Sequence, residues 1–148
     1  MGSPKPFIHA ACICENVLID KDNVASLIRV VDTFTLEVPD SHPPGVPIGF
    51  PVTLFISVKS GGMTGEGKLA VQPKRPDGTL GGRQEFPAVL SGAGTGAQYK
   101  LGFTVLNPQE GLYWFDVLWD GDLLTSVPAH VKLLKQQPFP ESAKNLVR

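Results

Sequence analysis

The residues best equipped for chemistry in this chain are two cysteines and three histidines. Cys12 and Cys14 stand two apart in Ala11-Cys12-Ile13-Cys14-Glu15, whereas His9, His42 and His130 are scattered. Thiolates and imidazoles build a zinc site when they come in paired clusters, such as Cys-x-x-Cys answered by a second pair. Cys-x-Cys with dispersed histidines lacks that spacing. On a strand both cysteines share a face with Cα atoms about 7 Å apart, at the limit for a disulfide, and their Cβ vectors run parallel. The expectation is two buried reduced thiols, with His9 on the opposite face beside Ala11 and Ile13, and neither a metal nor a cofactor.

Glycine-rich loops at Gly61 to Gly67, Gly81-Gly82 and Gly92 to Gly96 raise phosphate binding as a second chemistry. A phosphate cradle needs its amides at a helix N-terminus, often with a lysine at fixed spacing. Here Gly61 to Gly67 leads into a strand, and no Gly-Lys-Ser/Thr occurs. No serine stands in a Gly-x-Ser-x-Gly elbow, since Ser60-Gly61 and Ser91-Gly92 are ordinary turn pairs. Aspartates and glutamates are dispersed, mostly at turns, so spacing singles out no carboxylate pair. No catalytic residue is assigned, and the chain reads as a protein without enzymatic activity.

Charge points the same way. Lysine and arginine total 13 against 14 acidic residues, for a net charge of −1, and they form no run. A nucleic-acid binder needs a basic face to displace phosphate counterions, and an anionic membrane asks for the same. No stretch approaches the roughly 20 apolar residues of a bilayer span. Nucleic acid and membrane are therefore not expected as partners. The opening Met1-Gly2-Ser3-Pro4-Lys5-Pro6 has no apolar core of signal-peptide length, which with the reduced thiols makes the expected location cytoplasmic.

The elements that must position these residues are short and β-like. The 16 glycines and 14 prolines are spread between apolar runs, as a turn-rich β protein requires. Phe7 to Ile19 is a first apolar run, closed by the polar turn Asp20 to Asn23. Val24 to Val38 follows, and Phe34, Leu36 and Val38 alternate with Thr33, Thr35 and Glu37 as in a half-buried strand. Four prolines make Pro39 to Pro47 an extended loop. Phe50, Val52, Leu54, Ile56 and Val58 share one face of the clearest strand. Lys68 to Pro73, an edge or irregular segment at Glu85 to Leu90, and Tyr99 to Val105 come next, with a turn at Pro76-Asp77-Gly78. Leu112 to Trp119 and Asp122 to Val127 flank Asp120-Gly121, the strongest short hairpin signal, and Ala129 to Leu134 continues past a bulge or edge at Pro128. No segment keeps helical periodicity for three turns. The pattern predicts an all-β, immunoglobulin-like antiparallel sandwich of seven or eight strands. It spans one domain, 7–136, between a flexible N-terminus 1–6 and a frayed tail 137–148 with a turn of helix in Glu141 to Leu146.

One physical anomaly stands out. With a two-residue turn at Asp120-Gly121, parity puts Trp114, Leu118, Leu123 and Val127 on one face of the hairpin, with Asp116 and Thr125 between them. Tyr113, Phe115, Val117, Trp119 and Leu124 take the other. One face belongs in the core, which leaves the other unexpectedly apolar for a solvated sheet. Either a loop, the tail or a register-shifting bulge hides it, or it is a contact surface anchored by Trp114.

Two resemblances accompany this reading. Gly111-Leu112-Tyr113-Trp114-Phe115, after Asn107-Pro108, resembles the tyrosine corner of immunoglobulin-like domains, Asp-x-Gly-x-Tyr-x-Cys. Gly111 and Tyr113 match, Gln109 replaces the acidic residue, and Phe115 replaces the cysteine. The wider chain is similar to a family of uncharacterised small bacterial cytoplasmic β-sandwich proteins. Ala11 to Val17, Ser26 to Asp32, Gly111 to Val117, Asp120-Gly121 and Val127-Pro128 carry that likeness. It implies fold and compartment and transfers no functional residue. The functional expectation is an interaction module that binds a protein partner or its own copies through the Trp114 face. The alternatives are a small-ligand binder or enzyme using the loops at one end of the sandwich, such as Pro39 to Pro47 and Gly92 to Gly96, or a structural subunit of a larger assembly.

Overall fold

Alternation of apolar and polar residues over stretches of six to fourteen residues, broken by turns, gives nine strands among the described residues. The computed structural model describes residues 5–38, 45, 47–92 and 95–135. The tail 137–148 with its turn of helix, His42, Met1 to Pro4 and most of the Pro39 to Pro47 loop lie outside the described residues. So do the two central residues of the Gly92 to Gly96 loop.

The strands are β1 (Phe7–Ile19), β2 (Ala25–Val30), β3 (Thr33–Val38), β4 (Gly49–Lys59), β5 (Thr64–Lys74), β6 (Gln84–Ser91), β7 (Gly96–Leu106), β8 (Gly111–Trp119) and β9 (Asp122–Lys135). They form a four-stranded sheet, β2-β1-β4-β7, and a five-stranded sheet, β3-β9-β8-β5-β6. All neighbours are antiparallel except β3, which runs parallel to β9 from Thr33↔His130 to Val38↔Lys135. This is an immunoglobulin-like sandwich, one or two strands larger than the sequence pattern predicts. The excess arises in Val24 to Val38, which breaks after Val30 and sends β2 and β3 to different sheets.

The core lies between the sheets. Leu54, Ile56 and Val58 of β4, Leu69 and Val71 of β5, and Phe115 and Val117 of β8 form its centre, all fully buried. The tyrosine corner is present. Tyr113 Oη accepts a hydrogen bond from the Gln109 N–H at 2.7 Å, four residues upstream. Gly111 is required there: its φ is +134°, and an added Cβ would meet Pro76 Cβ at 2.9 Å. Gln109, where the pattern has an acid, instead donates from Nε2 to Asp77 Oδ2 at 2.9 Å and so ties this corner to the β5–β6 turn.

β1 has two halves. Up to Cys14↔Thr53 it pairs with β4; from Cys14 onward it pairs only with β2. The β1–β2 hairpin then turns back over the outer face of the four-stranded sheet. Val17 shares a buried cluster with Cys14 and with Phe55 of β4, and Ala25 and Leu27 pack against it. Lys100 of β7 reaches across to donate from Nζ to Asn16 Oδ1 at 2.9 Å and to the Val17 carbonyl at 3.3 Å. The chain thus covers one sheet with its own N-terminal hairpin. A bulge at His9, between Ile8↔Val58 and Ala10↔Ser57, breaks the parity expected there. His9 is consequently exposed, while Ala11 and Ile13 join the core.

Candidate functional site

The cysteines sit in the smaller cluster beneath that hairpin. Cys14 is buried, Cys12 half-buried, and both are free thiols. Burial pushes both thiols up from their ordinary range; for Cys12 the neighbouring Cys14 adds to the rise, and for Cys14 the Lys100 ammonium partly opposes it. Raised thiols are poor nucleophiles and poor ligands at neutral pH. Among the described residues no three His, Cys, Asp or Glu side chains gather in metal-binding geometry.

The outer face of the five-stranded sheet is different in kind. Asp120 and Gly121 have φ of +47° and +86°, the two positive values of a tight hairpin turn, and Trp119↔Asp122 closes it. The Asp120 N–H donates to the Lys68 carbonyl and its Oδ1 accepts from the Lys68 N–H, which pins the turn to β5. Leu118↔Leu123 follows as the two-residue turn dictates. Beyond it, Val117 pairs with Thr125, so Leu124 is an extra residue and the register slips by one.

That bulge corrects one expected site residue. Val127 pairs with Phe115 rather than facing Trp114, and at 7 % exposure it is a core side chain. Thr125, expected between the face residues, pairs with core-facing Val117. Pro128 takes the place opposite Trp114, at the point where β9 still has a free edge, because β3 joins only at His130. Trp114 is 38 % exposed and Leu123 58 %, with Leu118 half-buried between them. Leu112, 41 % exposed, belongs to the same face by simple parity with Trp114, a signal legible in the sequence. Tyr113, Phe115, Val117 and Trp119 all point into the core.

A polar group interrupts this apolar face. Asp116, between Trp114 and Leu118, accepts from Ser126 Oγ at 2.6 Å and pairs with Lys74 Nζ at 2.8 Å. Burial pushes the Asp116 carboxyl up, yet the bonds from Lys74 and Ser126 and the lysine's charge outweigh it and hold the group below the ordinary carboxylate range. The charge is thus fixed and satisfied in place, and the face around it stays preorganised.

A second feature is a cavity of about 420 Å³ at the open side of the sandwich, where β7 meets β5 and the chain entering β6. Phe103 and Phe115, ring centroids 5.5 Å apart, line it together with Tyr113, Arg75, Arg83 and Gln84. None of the described residues of the Pro39 to Pro47 and Gly92 to Gly96 loops, at which the sequence placed an alternative ligand site, is among those that line it.

No protein-family model and no curated protein matches the chain. Solved structures show similarity to it. The alkylpurine DNA glycosylase AlkC of Pseudomonas fluorescens, bound to DNA containing an abasic site analog, is similar over 86 % of this chain at 13 % identity and a TM-score of 0.46. The present chain spans only 30 % of that protein. An immunoglobulin-like protein from Pseudomonas aeruginosa is similar over 88 % of this chain and 100 % of its own, at 18 % identity and a TM-score of 0.44. Among the described residues no helix is long and apolar enough to cross a membrane.

Proposed function

We propose that this protein is a non-enzymatic interaction module that pairs with a second copy of itself through the outer face of the β3-β9-β8-β5-β6 sheet. The observation that carries the reading is an asymmetry. The chain spends its own β1–β2 hairpin on covering the outer face of one sheet, yet leaves Leu112, Trp114 and Leu123 exposed on the other. Apolar residues grouped on one sheet face mark contact surfaces.

Size and charge favour a second copy as the occupant. Five strands about 4.8 Å apart and nine residues of about 3.3 Å each give a face of roughly 700 Å². That is close to the roughly 800 Å² each partner contributes to a stable interface. The face carries both signs, with Lys68, Lys74 and Lys132 against Glu37, Glu66, Glu85 and Asp116, so no single-sign field keeps a second copy from docking on it.

The test is absolute mass by light scattering from about 1 to 100 µM, bracketing the Kd of an ordinary homodimer. Trp114 has 38 % of its surface left to bury, which for a side chain of roughly 250 Å² is about 95 Å². At about 25 cal/mol/Å² this is about 2 kcal/mol per copy, or about 5 kcal/mol for the two copies of a symmetric interface. Trp114→Asp is therefore expected to weaken dimerisation by about three orders of magnitude while the chain still folds. A wild-type chain that stays monomeric throughout overturns the proposal. Leu123→Lys, at a more exposed position, gives the same result if Trp114→Asp unfolds the chain, and a dimer that survives it also overturns the proposal.

A further inference from the structure

The cavity beside β7 has a chemical bias that the self-association reading does not use. β7 is the edge of its sheet, so every second residue turns its N–H and C=O away from β4. The residues bonded to β4 are the odd-numbered ones: at the strand's ends the Asn107 N–H donates to the Ile48 carbonyl and the Thr95 carbonyl accepts from the Ser60 N–H. Gly102, Thr104 and Leu106 consequently present their backbone groups to the free edge, along the wall of the cavity. Two of these three carbonyls are already occupied. Gln84 Nε2 donates to the Gly102 carbonyl at 2.8 Å, and Arg75 Nη2 donates to the Leu106 carbonyl at 3.0 Å and to that of Asn107.

The consequence is a wall rich in donors. Three N–H groups face the edge while two of the matching carbonyls are capped. The caps themselves blunt the edge against strand addition, because an added strand needs those carbonyls as acceptors. The remaining lining reinforces the bias. It includes two guanidinium groups, Arg75 and Arg83, and no carboxylate. Among the described residues both Arg75 bonds come from Nη2, and Arg83 uses Nε for its contact with Glu85 Oε1 at 2.5 Å. Tyr113, also in the lining, accepts from Gln109 and still carries its hydroxyl proton. Beneath the cavity lie the rings of Phe103 and Phe115, both core residues, of which Phe103 keeps 8 % of its surface exposed. By contrast, the cavity near Pro87 is lined by three carboxylates, Glu66, Glu85 and Asp120, against one cation, Lys68, and disfavours an anion.

From this pairing of an apolar floor edged by Phe103 with a donor-rich rim that carries two guanidinium groups, we infer that the β7 edge cavity is a binding site for a small aromatic carboxylate. The ring lies against the exposed edge of Phe103 beside Pro73 and Val105, and the carboxylate is met by the free-edge amides and the guanidinium of Arg83. At about 420 Å³ the space falls within the range of small-ligand sites, roughly 300 to 1,000 Å³. The inference stands apart from self-association, since the residues involved are on a different face from Trp114.

The experiment is an amide NMR titration of the full chain with cinnamate, repeated with the neutral isostere cinnamamide. Cinnamate is expected to shift the amides of Gly102, Thr104 and Leu106 and to bind about tenfold more tightly than cinnamamide, as a charge-assisted contact requires. Arg83→Gln, at a side chain on the cavity's rim, is expected to weaken cinnamate about tenfold and leave cinnamamide unchanged. Absence of shifts at those three amides up to about 5 mM cinnamate overturns the inference, since that limit corresponds to only about 3 kcal/mol of binding. So do equal affinities for acid and amide, or shifts confined to Leu112 and Trp114.

Discussion

Gly67→Ala adds a single methyl group and should nevertheless destabilise this protein. Gly67 lies on the core side of β5, in step with Leu69 and Val71, and the indole of Trp119 occupies the space a side chain would take. A Cβ built there would stand 2.1 Å from Trp119 Cζ2 and 2.3 Å from Cε2, against an ordinary carbon–carbon contact of about 3.5 Å or more. Something must give by roughly 1.5 Å. Trp119 is 2 % exposed and its register partner Leu69 is fully buried, so the ring has nowhere to retreat within the core. Overpacking of this kind costs about 1–3 kcal/mol, and a clash this deep belongs at the upper end. Reduced freedom of the unfolded chain returns about 0.4–1 kcal/mol. The net loss is about 2 kcal/mol, or about 4–8 °C in Tm for a chain of this size. Thermal and urea melts of wild type, Gly67→Ala, Trp119→Leu and the double variant measure it. The double variant should lose less than the sum of the two single changes, because the smaller side chain vacates the slot. A Gly67→Ala protein as stable as wild type, or strict additivity in the cycle, would refute the packing argument.

Two further expectations follow from the corner at the other end of β8. Tyr113→Phe strips the acceptor from the Gln109 N–H in a buried setting and should cost about 1–2 kcal/mol in a urea melt; an unchanged midpoint would show that water replaces the hydroxyl. Asp77 is held down to about 2, first by the Thr79 hydroxyl and then by the Thr79 N–H and the Gln109 amide. Because the folded value is the lower one, the stability it contributes is present above the unfolded value of about 3.9 and is lost as pH falls through about 2. A carboxyl NMR titration of the native protein should find that midpoint, and Gln109→Ala should raise it; an ordinary midpoint near 4 would remove the link between the two loops.

The sequence by itself determined what depends on local pattern. Period-two alternation located most of the strands, because a half-buried sheet forces it, and Asp120-Gly121 specified its turn, because both of its residues tolerate positive φ. The identity of the core face of β8 was legible too, since Tyr113, Phe115, Val117 and Trp119 outweigh their neighbours in apolar bulk, and Gly111 with Tyr113 announced the corner. What parity cannot carry is a change of count. One extra residue at Leu124 moved Val127 from the expected contact face into the core, and one at His9 exposed a side chain expected beside Ile13. Nor does local pattern reveal which glycine in Gly61 to Gly67 is a turn and which is a slot. Gly67 reads as loop in the sequence, yet it is a strand residue paired with Ala88, and the Trp119 ring, fifty-two positions away, lies across it. The tertiary structure alone decided that the N-terminal hairpin folds onto one sheet while, among the described residues, Leu112, Trp114 and Leu123 stay exposed on the other. The same holds for the side chains of Arg75 and Gln84, which meet the edge of β7 across the gap between the sheets. Those outcomes rest on contacts between residues distant in the chain, and a pattern of period two contains no information about which face a remote segment will cover.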